Sequence, residues 1–299
     1  MCSAEELEFP QKLFEYQCGF AASKTLFTAC ELGVFDLLHE VQEPLSAATI
    51  TTRLSTTEDG MECLLDACVG LKLLKVDLRN NEGFYSNTDV SSMYLVKSSP
   101  RTLYYMIMFY SKTLYKCYNF LPEAVREGKC QYERAFGISS EDPFKAIYRS
   151  EENMLGFMYF MNSTWSICGK YVVQAFDLSE FNTIYDLGGD IFNDAIPEAD
   201  LFILARIIHD WTEDKCLKLL KKIYQSCKPG GGVLLVNVVL NEDRSGPLIG
   251  QLFSLSMLLQ TEGKERTSSE YIKLLTESGF RDIKVKVTGK LYDAILGRK

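Results

Sequence analysis

"TIYDLGGDIFNDAIPEADLFILARIIHDW", Thr183–Trp211, is the stretch whose reading decides the fold. "TIYDLGG" reads as a buried strand ending in a glycine turn, and "ADLFILARIIHDW" as a second buried strand. Downstream, "TEDKCLKLLKKIYQSCKPGG" reads as an amphipathic helix with Thr212 as its N-cap and a Pro-Gly stop. "GVLLVNVVL" reads as a third strand, and "QLFSLSMLLQTEG" and "SSEYIKLLTESGF" as helices, the second capped by Ser268 or Ser269. "RDIKVKVTGKLYDAILGRK" supplies a terminal pair of strands. Alternating strand and helix predicts an α/β fold with a mostly parallel sheet covered by helices. The first interval is too short for that pattern. Only 14 residues separate Asp186 from Leu201, and they include two glycines and a proline. A parallel crossover takes about a dozen residues, usually as a helix, and no amphipathic helix fits there.

Upstream, residues 12–39 carry apolar side chains at helical spacing, with a break at Gly33. From Pro44 the pattern predicts a short helix, a turn at "TTEDG", a helix over Met61–Leu71 and a β-hairpin turning at "RNNEG". Together these form a winged helix, within a helical dimerisation region over residues 1–100. A DNA reader would present Lys and Arg on the second helix. Here that helix, "GMECLLDACVGLKLL", is acidic at Glu62 and Asp66, which favours a packing or dimerisation module. Residues 101–165 read as helical and aromatic-rich, and an aromatic stripe at that spacing is usually core.

The net charge of −8 argues against a nucleic-acid surface. The N-terminus "MCSAEELEFP" lacks the basic and apolar regions of a secretory signal, and "TLYYMIMFYSKTLYKCYNFL" is broken by Lys112 and Lys116 before it reaches membrane-spanning length. Ten cysteines without a C-x-x-C pair suit reduced thiols in a cytoplasmic protein. His39 and His209 are the only histidines, and neither has a partner at metal-ligand spacing.

"YDLGG", "ADLFILARIIHDW", "CKPGGGVLLV", "QTEGKERT" and "ESGFRDIKVKVTG" in this order resemble the S-adenosylmethionine-dependent small-molecule O-methyltransferases. The likeness covers nearly the whole chain. "ACELGVFDLL" and the winged helix resemble that family's N-terminal dimerisation region. The resemblance implies a Rossmann-like catalytic domain within residues 101–299 and an intertwined homodimer. The implied reaction is methyl transfer from S-adenosylmethionine to the phenolic oxygen of a hydroxyindole, N-acetylserotonin, giving melatonin. His209 matches the family's base. Asp210, Ser256 and Gln260 match substrate contacts, Ser256 standing where an asparagine is usual. Tyr148, Trp165, Gly188, Gly189, Asp190, Ile191 and Arg206 match cofactor positions. Glu265 matches an acid that orients the histidine, and it reads equally well as a solvated loop carboxylate.

Against the family's pattern, the glycine turn runs straight into "DIF", which looks like its third-strand segment. The first crossover helix, the second strand with its ribose-binding acid, and the following helix are absent together, near residues 189–190. Asn237 also stands where related enzymes carry a glutamate. The expectations are exposed apolar sheet faces, unpaired backbone donors and impaired binding of the methyl donor. An alternative is an inactive variant that dimerises with a full-length enzyme.

Overall fold

The computed structural model describes residues 10–137, 148, 150–188 and 190–299. The chain divides into two compact units, Met1–Thr113 with Leu155–Thr164, and Leu114–Met154 with Trp165–Lys299.

In the first unit, helices Gln11–Leu32 and Val34–Val41 are separated by Gly33 at φ 81°, a conformation that glycine adopts without steric cost. Strand β1 (Leu45–Ser46) leads into helices Ala47–Leu54 and Glu58–Gly70, followed by β2 (Leu74–Arg79) and β3 (Glu82–Asn87). The second helix begins at Glu58, not at Met61 as the sequence suggests, because Glu58 and Asp59 fill a first turn that favours acidic side chains. The strands form an antiparallel sheet in the order β1-β3-β2. Asn80 and Asn81 turn the hairpin at φ 50° and 71°, as a two-residue turn with two positive φ angles demands. The aromatic residues pack on one another: Phe109 stacks on Phe160 with centroids 4.9 Å apart, and Tyr105 on Tyr159 at 4.8 Å.

The second unit is built on β4 (Ile184–Asp186), β5 (Ala199–Ala205), β6 (Cys227–Asn237), β9 (Arg281–Lys286) and β10 (Asp293–Arg298), with β7 (Val239–Leu240) and β8 (Arg266–Thr267) paired separately. The main sheet has the order β4-β5-β6-β10-β9. Its first two junctions are parallel and its last two antiparallel, so the sheet is mixed and not mostly parallel. The short link between β9 and β10 forces them antiparallel, since a parallel return needs a long crossover. Side chains alternate between two cores. Phe202, Leu204, Leu235 and Ile295 face helices Glu213–Ser226 and Ser268–Glu277, while Leu201, Leu234, Val236 and Leu296 pack with Cys168 and Val172. Thr267, not Ser268 or Ser269, caps the Ser268–Glu277 helix, in a capping box with Glu270.

Two expectations about the short interval are corrected. The "TIYDLGG" strand is not buried: β4 is a three-residue edge strand, and Ile184 is 53% exposed. "DIF" forms no strand but enters a turn over Ile191–Asp194. That turn seals the sheet locally. Ile191, Phe192 and Ile196 pack against the main core, and Phe192 meets Trp211 edge-on at 5.0 Å. Lys222 Nζ donates to the carbonyls of Ile191, Phe192 and Asp194 at 3.3, 2.9 and 2.6 Å, and Ser226 Oγ to that of Ile196 at 3.2 Å. Lys222→Met keeps the apolar stem and removes these donors. It is expected to lower stability by about 1.5–3 kcal/mol, the scale of a hydrogen bond to a charged group. Urea unfolding measures this, and an unchanged midpoint would remove Lys222 from the seal.

Candidate functional site

The site grows from the carboxyl end of β5, the edge of a parallel strand where α/β proteins place ligands. Beyond Ala205 the chain turns at Arg206, enters a 3₁₀ turn over Ile208–Asp210, and reaches Trp211. His209 is buried. Its Nδ1 lies 3.1 Å from Glu265 Oε1, and its Nε2 lies 3.0 Å from the Arg206 carbonyl and 3.4 Å from Asp210 Oδ1. Glu265 is 1% exposed, and its Oε1 also meets Arg206 Nη2 at 2.8 Å. It is therefore the partner of the histidine and not a solvated loop carboxylate.

Burial alone would raise the Glu265 carboxyl, but the charges of Arg206 and His209 outweigh it and hold the group near a pKa of about 2. Burial raises Asp210 above the usual carboxylate range, with His209 and Arg206 opposing. Burial also disfavours the Arg206 charge, yet Glu265 overcomes that and holds the guanidinium firmly protonated. The guanidinium lies over the rings of Phe253 and Tyr292 at 5.5 and 5.1 Å.

A second segment, Glu262–Arg266, cradles the turn that carries His209. Arg266 donates from Nη1 to the Ile208 carbonyl at 2.8 Å and from Nη2 to that of Trp211 at 3.0 Å. Glu262 N–H donates to the Asp210 carbonyl at 3.2 Å. Gly263 lies so close that a Cβ there would sit 2.6 Å from Trp211 N and 2.7 Å from Asp210 C, and nearer still to the His209 carbonyl oxygen. Sequence reasoning missed Arg266 and Gly263 as site residues although both lie within "QTEGKERT". The available signal was a charged residue and a glycine in one loop, which also describes many solvated loops.

Ser256 and Gln260 lie four apart on helix Leu248–Gln260, both buried. Ser256 Oγ is 2.9 Å from Tyr118 Oη, and Gln260 Oε1 accepts from Tyr132 Oη at 2.9 Å. Gln260 Nε2 donates to the Ser256 carbonyl at 3.2 Å, so the two are joined.

The expected cofactor residues are less well assembled. Gly188 faces open space, and Gly189 lies outside the described residues. Asp190 is spent on its own turn: Oδ1 accepts from the N–H groups of Phe192 and Asn193, and Oδ2 from Asn193 Nδ2. Ile191 packs on the core, with its carbonyl on Lys222. Tyr148 and Trp165 are 44% and 37% exposed, and the Trp165 ring lies along its own helix over Gly169. Arg206 points its Nη2 at Glu265, but its Nη1 is buried without a hydrogen-bond partner, as are Glu265 Oε2 and both amide atoms of Asn237. Such orphaned polar groups ask for a ligand. Arg206 and its neighbours thus suit the polar, methyl-bearing end of a donor. The nucleoside end does not fit. Among the described residues no helix and no further strand lie between β4 and β5, so none offers an N-terminus or a carboxylate there.

The family model for the O-methyltransferase dimerisation domain matches residues 14–97, and that for the O-methyltransferase domain matches residues 118–190 and 188–281. The chain belongs to the O-methyltransferase family. Its catalytic match falls in two pieces that meet at Gly188–Asp190, where the sequence breaks the family's pattern. The acetylserotonin O-methyltransferase of Gallus gallus is 53% identical with both chains fully covered, and that of Homo sapiens 44% with the same coverage. Each alignment runs over 346 positions, against 299 residues in this chain. The crystal structure of human N-acetylserotonin methyltransferase in complex with SAM superposes with a TM-score of 0.95 at 44% identity, covering 100% of this chain and 99% of that one. A family member with a shortened catalytic core is the result. Among the described residues no helix is long and apolar enough to cross a membrane, and no cluster of His, Cys, Asp or Glu could hold a metal ion.

Proposed function

We propose that this chain carries the catalytic apparatus of an S-adenosylmethionine-dependent O-methyltransferase for N-acetylserotonin, with its donor site impaired. The observation that carries the first half is the buried His209–Glu265–Arg206 group at the carboxyl end of β5. A free phenol ionises near pH 10, about three units too high to be a strong nucleophile at neutral pH. A histidine beside it removes the proton as the oxygen attacks. Glu265 fixes the ring through Nδ1 and stabilises the imidazolium that forms at Nε2. Asp210, Ser256 and Gln260 are the polar groups offered to the indole and its side chain. When bound, the donor supplies an electrophilic methyl group on a sulfonium; Trp165, Tyr148, Gly188, Gly189 and Arg206 are the residues offered to it. Among the described residues no strand between β4 and β5 offers a carboxylate for the ribose, and Asp190 and Ile191 are committed to the sealing turn. A lost charge-assisted contact alone costs about 1.5–3 kcal/mol.

Isothermal titration with S-adenosylmethionine tests the impairment, with millimolar or undetectable affinity expected. Micromolar binding with melatonin formation would overturn it. A second reading rests on the dimerisation match over 14–97, together with Leu13, Tyr16 and Phe20 exposed on helix Gln11–Leu32. In that reading the chain forms homodimers, or heterodimers with a full-length relative, in the cytoplasm. Its acidic balance suits neither nucleic acid nor an anionic membrane surface.

A further inference from the structure

His209 faces an acceptor at each ring nitrogen. Glu265 Oε1 lies 3.1 Å from Nδ1, and the Arg206 carbonyl 3.0 Å from Nε2. A carboxylate and a backbone carbonyl can only accept. A neutral imidazole has one N–H and one lone pair, so either tautomer would set a lone pair against an oxygen. Both contacts are satisfied only when both nitrogens carry hydrogen. Tyr271 and Tyr292 lie near the Arg206–Glu265 pair, and the Asp210 carboxyl lies beside Nε2.

Both contacts trace to one residue. The Arg206 guanidinium holds Glu265 at 2.8 Å, and the Arg206 carbonyl is the oxygen at Nε2. The backbone of Arg206 sits at φ 59°, a left-handed conformation that costs a non-glycine residue about 1 kcal/mol or more. Its anchored side chain, paired with Glu265 and lying over Phe253 and Tyr292, holds it there.

We propose that Arg206 is a positioning residue that keeps His209 in a closed state, pinning Glu265 behind Nδ1 and covering Nε2 with its own carbonyl. The ring accepts a phenolic proton only after Nε2 leaves that carbonyl. On opening, the Nε2 proton departs; Asp210 Oδ1, 3.4 Å away, is the oxygen placed to receive it. Nε2 then holds the lone pair that takes the phenol proton, while Nδ1–H stays on Glu265. This deepens the reading of His209 as the base and rests on it.

The chain's two histidines make the test clean. His39 is exposed, so His39→Asn leaves His209 as the only imidazole signal. In spectra of this variant labelled with ¹⁵N-histidine at neutral pH, two protected ring N–H groups are expected. Arg206→Gln in the same background is expected to speed exchange of both by about tenfold or more, the scale of a lost charged hydrogen bond. Arg206→Lys is expected to recover the Nδ1 signal better than the glutamine variant does. A single ring N–H in the parent, or a glutamine variant that matches the parent, overturns the closed state. The spectra read that state without turnover, so loss of the base reading would leave them unchanged. That reading falls separately if, at S-adenosylmethionine concentrations high enough to give the parent measurable melatonin formation, His209→Gln retains it.

Discussion

Glu265→Leu is expected to destabilise the second unit by about 3–5 kcal/mol, because removing one partner of a buried ion pair leaves the other charge uncompensated. Arg206 is the stranded group. Its side chain is 9% exposed, and its remaining partners are aromatic faces, which cannot replace a carboxylate. Leucine roughly fills the volume, so the loss reports charge and not a cavity. Both tryptophans, Trp165 and Trp211, belong to this unit, so their fluorescence in a urea titration reads its unfolding. The double variant Arg206→Met/Glu265→Leu is expected to recover part of the loss, since deleting both charges removes the penalty.

The same substitution changes the response to acid. Glu265 is held at about 2, below its ordinary value of 4.5, so its stabilisation is complete above about pH 4.5 and disappears as pH falls towards 2. Asp210 acts in the opposite sense: its raised carboxyl stabilises the fold at low pH and loses that contribution as pH rises through its folded value. The parent should therefore show an acid-induced loss that Glu265→Leu lacks. A stability change below about 1 kcal/mol, with an unaltered acid profile, would sink the buried-pair account.

The deletion was legible because chain reach is a local quantity: 14 residues between Asp186 and Leu201 cannot supply a helix and another strand. The winged helix was legible for a similar reason, since its hairpin is written in consecutive residues at Asn80 and Asn81. The seal over the shortened edge was not legible. It depends on Lys222, from a helix that reads as an ordinary amphipathic one, finding three carbonyls some thirty residues upstream. The exposure of β4 follows from which neighbours are missing, and an apolar run such as "TIY" looks the same in a buried or an edge strand. His209 stood out as one of two histidines. The dual role of Arg206 did not, because a sequence carries neither the φ of a residue nor the direction of its carbonyl.

Gly263→Ala is expected to lower activity about 100-fold wherever the base turn sets the rate, the cost of a misplacement near 1 Å at a reacting group. The added methyl has nowhere to go. Its neighbours are Trp211 N at 2.6 Å, Asp210 C at 2.7 Å and the His209 carbonyl oxygen, all backbone, so no rotamer change can relieve the clash. The 3₁₀ turn must move, while Arg266 still holds the carbonyls of Ile208 and Trp211. That conflict is expected to cost about 1–3 kcal/mol of stability, as overpacking does. Urea unfolding of this chain carries the test, because the proposed donor-site impairment would leave little turnover to compare. Gly70→Ala is the control: no atom lies within 4 Å of a Cβ there, so it separates local crowding from the general effect of replacing glycine. If Gly263→Ala unfolds at the parental urea concentration, the turn has room that the close approach denies, and the cradle formed by Glu262–Arg266 does not hold His209 in place.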